Sequence, residues 1–280
     1  MENNNEKPHF DKLVGLSKEQ RPYQEEAEKI VSQEFVGYGG KPIEKFETKK
    51  TEKDIEIIDF VKNTIGEYTE KYTKKKFDIP LENIHIFNPG GVEEHTEKQS
   101  VKGGASLYFG RIIIDRVKSD AEFARILFHE LLHLNSYTAI QLTRATNSEK
   151  SHPDRYRSGV EVKTRDGKNI FFRDIEEAII ELVTQKFQDE KIAASQLFSE
   201  EDRKNIPLHR VEEGIKLTAL IDVLWERNKD RFKNREEVEK LFLDAQFTGN
   251  LLKIGRLIEK TFGKGSFRKL GEGNLIKPES

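Results

Sequence analysis

The chain reads as an α+β fold, mainly helical, in which a small sheet precedes a central helix and a helical region follows. Three observations predict this. Apolar residues recur at helical spacing through most of the 280 positions, the pattern of helices that bury one face. A few short runs rich in Ile, Val, Tyr and Phe are fenced by Gly, Pro, Asn and Asp, as strands are. From Leu208 to Phe262 the pattern is almost wholly helical, with room for three or four helices.

In order along the chain, Met1 to Arg21 is polar and expected to be loose. Pro22 to Phe35 reads as a short charged helix, and Val36-Gly37-Tyr38-Gly39-Gly40-Lys41-Pro42 as a breaker cluster and linker. Thr51 to Phe77 is helical, with Ile55, Ile58, Val61, Ile65 and Tyr68 on one face and Pro80 beyond its end. Ile84 to Phe87 is a strand closed by Asn88-Pro89-Gly90-Gly91. Ala105 to Phe109 and Arg111 to Ile114 are strands around Gly110. Ser119-Asp120-Ala121-Glu122 has the form of a capping box, so a helix starts at Asp120. Its buried stripe is Ala124, Leu127, Phe128, Leu131 and Leu132. Asn147 to Arg157 reads as a polar loop. Gly159 to Lys163 and Asn169 to Arg173 form a hairpin around Asp166-Gly167. Asp174 to Thr184 is a second apolar helix with Ile175, Ala178, Ile179, Leu182 and Val183 as its stripe. Leu217, Leu220, Ile221, Leu224 and Trp225 read as the core of the C-terminal helices. The division expected is a polar segment at 1–50, a site-bearing region at 51–190 and a helical region at 191–280 that completes a cleft.

The most informative segment is Phe128-His129-Glu130-Leu131-Leu132-His133. Two histidines at i and i+4 stand one helical turn apart, close enough for both imidazoles to ligate one zinc ion at ~2.0–2.1 Å. On a helical wheel they share a face with Ile126, Tyr137 and Ile140. Glu130, beside the first histidine, can reach a zinc-bound water without binding the metal. Zinc lowers that water's pKa to about 7 and the carboxylate takes its proton. The expectation is hydrolysis, foremost of a peptide bond. His152 and Asp154 flank Pro153 in the polar stretch, but the stronger third ligand is Glu177. Glu177, Glu181 and Thr184 form one line on the second helix, and carboxylates in so apolar a helix need a partner. Zinc on Glu177, with Glu181 hydrogen-bonded to a ligand histidine, would supply it. For the oxyanion of the tetrahedral intermediate the candidate donor is Tyr156, with Tyr137 second.

His129-Glu130-Leu131-Leu132-His133, followed by Glu177-Ala178-Ile179-Ile180-Glu181, resembles the gluzincin branch of the zincin metallopeptidases. The resemblance implies a zincin-like fold, with the first acid of the second motif as third zinc ligand and the second acid orienting a ligand histidine. More narrowly, Arg157-Ser158-Gly159-Val160 and Ile175 to Glu181 resemble uncharacterised bacterial proteins with an H-E-x-x-H helix. Their second helix commonly reads Asn-Glu-Ala/Gly-x-Thr-Glu. This chain has Glu176 for the Asn and Ile180 for the Thr. The metzincin continuation is absent, because Ser136 and Ala139 stand where it needs Gly and His. In such folds the sheet's edge strand pairs with an extended substrate. Leu107-Tyr108-Phe109 or Arg111-Ile112-Ile113-Ile114 would be that edge, with Gly103 and Gly104 allowing a close backbone approach; the alternative is that these strands are internal to the sheet.

Composition narrows the classes. There are no cysteines, which removes disulfides, zinc thiolates and thiol catalysis. The formal net charge of −2 gives no field favouring nucleic acid or anionic membrane. No apolar run opens the sequence and none is long enough to span a bilayer, so a cytoplasmic monomer acting on peptides or proteins is expected. The alternative is a non-catalytic zincin-fold binding or scaffold module, which Glu130, present here, argues against.

Overall fold

The computed structural model describes residues 10–15, 43–73, 79–96, 102–106, 110–144, 151–207 and 211–273. The helix expected at 22–35, the breaker cluster at 36–42 and the 107–109 end of a strand lie outside them. The class is α+β and mostly helical, as expected. Among the described residues no helix is long and apolar enough to cross a membrane.

Helix α1 (Glu52–Thr69) opens with a closed capping box. The Thr51 hydroxyl accepts from the Asp54 N–H, and the Asp54 carboxylate accepts from the Thr51 N–H. The same carboxylate takes two hydrogen bonds from the Arg116 guanidinium, at 3.0 and 2.7 Å. Ile57, Ile58, Val61 and Ile65 then line its buried face. Strands β2 (Ile84–Phe87), β3 (Gly103–Ser106) and β4 (Arg111–Asp115), with the short helix α2 (Gly91–Thr96) between the first two, build a three-stranded sheet ordered β2-β4-β3. The β2–β4 pair is parallel and β3–β4 antiparallel. Alternation puts Ile84, Ile86, Ile112 and Ile114 into the core. Of the two readings of Arg111 to Ile114, edge or internal strand, the second holds, since β4 is central. The edge is β3.

Helix α3 (Asp120–Asn135) is the hub. Ser119 caps it by accepting from the Glu122 N–H, but the Glu122 carboxylate turns to Lys102, at 2.8 Å, rather than back to Ser119. Phe128 stacks on Phe187 at 4.0 Å and meets Tyr68 edge-on at 5.4 Å, tying α3 to α1 and to the helix that carries Phe187. The helix stops at Asn135, so Tyr137 and Ile140 leave the histidines' helical face.

Of the segment read as a polar loop, residues 151–157 are instead sheet, and 147–150 lie outside the described residues. Strands β5 (Thr138–Arg144) and β6 (Ser151–Ser158) pair antiparallel with a bulge at Ala139/Ile140. They continue through β7 (Glu161–Lys163) and β8 (Ile170–Phe171), the expected hairpin. Pro153 is tolerated because β7 pairs only with Arg157 and Ser158, which among the described residues leaves that stretch of β6 an edge. The N-terminal stretch is also not uniformly loose. Strand β1 (Lys12–Val14) runs parallel to β5, buries Leu13 and anchors on Thr138 through Asp11.

Helix α4 (Arg173–Phe187) follows. Its cap residue, Phe172, is left-handed (φ 63°) and donates its N–H to the Gly271 carbonyl at 2.8 Å. A π-helical turn, Gln188–Ile192, prolongs it. Beyond the short α5 (Glu200–Lys204), helices α6 (Val211–Glu226), α7 (Arg235–Thr248), α8 (Leu251–Phe262) and α9 (Ser266–Gly271) complete the chain's description. Leu217, Ile221 and Leu224 are buried as expected, with Leu220 and Trp225 packed half-buried against them. One continuous core joins α1 to α8, so residues of the site-bearing and C-terminal regions share it.

Candidate metal centre

Within α3 every residue is buried except Asp120, His129 and His133. The helix is sealed by its neighbours everywhere else, and its one opening along the body is at the two imidazoles. The i, i+4 spacing puts both rings on that opening, with centroids 4.8 Å apart. Helix α4 packs across it and supplies Glu177. His129 Nε2 and His133 Nε2 are 3.1 Å apart, and Glu177 Oε2 lies 3.6 Å from the first and 3.8 Å from the second. Two ~2.05 Å bonds at a tetrahedral angle separate their ligand atoms by ~3.3–3.4 Å. The observed triangle straddles that value, so the three residues, which group as a possible metal site, fit a tetrahedral cation. Their side chains keep 15–19% of their surface exposed, so the three groups are not sealed from solvent.

The outer partners differ from expectation. His133 Nδ1 faces Glu176 Oε1 at 3.1 Å. An Nδ1–H donated there leaves the Nε2 lone pair for the metal. Glu176, not Glu181, is thus within hydrogen-bond distance of one of the two candidate ligand histidines. Glu181 Oε2 stands 3.9 Å from His129 Nδ1, outside hydrogen-bond range. Its other oxygen is paired with the Arg125 guanidinium, itself buried and bonded to Gln188 Oε1 at 2.9 Å. A buried arginine inside α3 needs a buried carboxylate, and Glu181 is the one in reach.

Burial holds His129 down to about 4, against the pull of Glu177. For His133 burial acts downward too, but Glu176, Glu177 and Glu130 outweigh it and push the ring up to about 10. The two shifts run in opposite directions, so the charged ring of the metal-free pair is His133 and the neutral one His129.

Glu130 is 9% exposed and lies against β3. A Cβ on Gly103 would sit 3.1 Å from Glu130 Oε1 and 2.8 Å from Ile126 Cγ2, so only glycine lets the edge strand pass this close. Tyr156 is on β6, where its neighbours are Tyr137 and Arg157. Among the described residues no hydrogen bond joins it to the three ligands. Tyr137 is a packing residue: the Arg157 guanidinium lies 4.9 Å over its ring. Asp154 is bound by Lys163 at 2.8 Å, and the side chain of His152 lies outside the described set.

Sequence reasoning missed Glu176, Arg125 and Gln246. A signal existed for the first. Glu176 shares a helical face with Phe172, Ile179, Ile180 and Val183, the face that is buried, so it is a carboxylate on the apolar stripe. The expected stripe was rotated. Ile180 is buried, whereas Ile175 and Leu182 are half-buried. No family model, no curated protein and no solved structure matches this chain, so the reading of the site rests on its own geometry and chemistry.

Proposed function

We propose that the chain is a zinc-dependent hydrolase of peptide bonds with a zincin-like arrangement of the gluzincin kind. The observation that carries it is the His129–His133–Glu177 triangle with Glu130 on the same helix and an edge strand alongside. His129 and His133 offer Nε2 and Glu177 offers Oε2, a nitrogen and oxygen donor set suited to zinc. When bound, zinc supplies Lewis acidity and lowers the pKa of water at its open position. Glu130 accepts the proton of the attacking water and returns it to the leaving nitrogen, which restores the carboxylate. Its near-complete burial strengthens its field on the reacting groups. Strand β3 runs beside Glu130 with no strand on its outer side among the described residues, and there an extended peptide can add as a further strand. The substrate class is peptide or protein.

The test pairs two substitutions. Glu130→Gln keeps shape and hydrogen bonding but cannot take a proton. It should bind one zinc per chain and lose peptide hydrolysis by about 10²–10⁴-fold or more. His133→Ala should lose both metal and activity. Zinc content and digestion of a broad peptide library are measured on the same samples. Zinc-loaded wild type that turns over no faster than Glu130→Gln refutes the enzyme reading in favour of a metal-holding scaffold.

A further inference from the structure

Gln246, on α7, is fully buried and every polar atom of its side-chain amide is used. Its NH₂ donates to Glu176 Oε1 at 2.9 Å and to Ser136 Oγ at 2.8 Å, and its Oε1 accepts from the Val160 N–H at 3.2 Å. The donor directions agree around the network. The Ser136 hydroxyl spends its own hydrogen on the Leu132 carbonyl, at 2.8 Å, and so receives from Gln246. A backbone amide must donate to Oε1 and a carboxylate must accept from NH₂, so the amide has one orientation. The fold also makes room for it. A Cβ on Gly159, which already has φ +55°, would lie 2.3 Å from the Gln246 amide. Gln246 therefore grips three elements at once: the end of α3, the β6–β7 turn and, through Glu176, the ring of His133.

We propose that Gln246 is a positioning residue for the metal centre, fixing the Glu176 carboxylate that aims His133, so that the docking of α7 and the binding of metal are coupled. This rests on the reading of His129, His133 and Glu177 as ligands. A carboxylate held at one oxygen by Gln246 loses its freedom to swing, and the histidine it holds keeps Nε2 on the triangle. Coupling of this kind is reciprocal: whatever loosens α7 weakens the metal, and the metal steadies α7. Outer partners of ligand histidines are worth about 10–100-fold in metal affinity. Gln246 stands one bond further out and belongs at the lower end.

The experiment is a zinc competition titration, against a chromophoric chelator, of the whole chain as wild type, Gln246→Met, Glu176→Ala and the double variant. Gln246→Met keeps length and volume but has no donor. It should weaken zinc about tenfold. Glu176→Ala should weaken it about 10–100-fold, and the double variant should bind no worse than Glu176→Ala, because Gln246 acts through Glu176. A residue that merely stabilised the fold would give losses that multiply. Should Gln246→Met fail to fold by circular dichroism, Gln246→Asn, which keeps the amide but falls a methylene short, carries the same cycle. Unchanged affinity in the Gln246 variant, or multiplying losses, overturns the proposal while leaving the ligand assignment in place. A wild type that binds no zinc overturns both.

Discussion

Glu181→Leu should destabilise the metal-free protein strongly, although Glu181 is not one of the three ligands. Its partner Arg125 has a side chain 2% exposed, and that of Glu181 is 7% exposed. Removing one member of a buried ion pair leaves the other charged and unpaired, at a cost of ~3–5 kcal/mol. Arg125 keeps its hydrogen bond to Gln188, so the loss belongs near ~3 kcal/mol. That is a large share of the ~5–15 kcal/mol that holds a typical protein folded. The assay is urea unfolding of metal-free protein followed by helical circular dichroism, read as a lowered midpoint at constant slope. Arg125→Met combined with Glu181→Leu should recover most of the loss, since a buried pair exchanged for apolar groups is neutral or stabilising. A Glu181→Leu midpoint within ~0.5 kcal/mol of wild type would place the pair in effective contact with water. So would a double variant that loses the sum of both singles, and either result refutes the reasoning.

Zinc uptake at pH 7 should release about one proton per chain, because His133 is protonated below about 10 and must be neutral to bind. Its raised pKa adds stability to the metal-free fold that is complete below the unfolded value of ~6.5 and lost as pH rises through about 10. Zinc affinity should correspondingly climb about tenfold per pH unit above neutrality, and calorimetry in buffers of different ionisation enthalpy that finds no proton release would refute the assignment. Glu177→Ala should weaken zinc binding more than Glu176→Ala does; an affinity equal to wild type would mean another group completes the site. Gly103→Ala should lower turnover far more than zinc content, because the added methyl crowds Ile126 and Glu130 rather than the histidines. Equal losses of both would show β3 acting on the ligands themselves.

Much of the site could be read from residue spacing because it lies on two helices. The i, i+4 rule places His129 beside His133 whatever surrounds them, and Glu177 converges because both helices bury the face adjoining their polar line. What escaped depends on tertiary choices. Glu176 and Glu181 are neighbours in composition and differ only in which buried cation or ring packs against them. That choice is made by Arg125, a residue whose burial no periodicity announces. Strands β5 and β6 escaped because Thr, Gln, Arg and Ser fill them, so alternation is faint and Pro153 argues against a strand until the edge is known. Strand β1 rests on one buried leucine and a pair of bonds to Thr138, too little to stand out among polar residues.

Gln246 lies 70 residues beyond Glu176, and that distance sets a clock. A ribosome adding ~5–20 residues per second makes Gln246 roughly 4–14 seconds after Glu176. For that interval both histidines and Glu177 already exist in the nascent chain, but the clamp that aims His133 does not. The centre is therefore finished late in synthesis, after the strands and helices that precede it. On the proposed reading, a chain made in this order would hold zinc about tenfold less tightly until α7 docks.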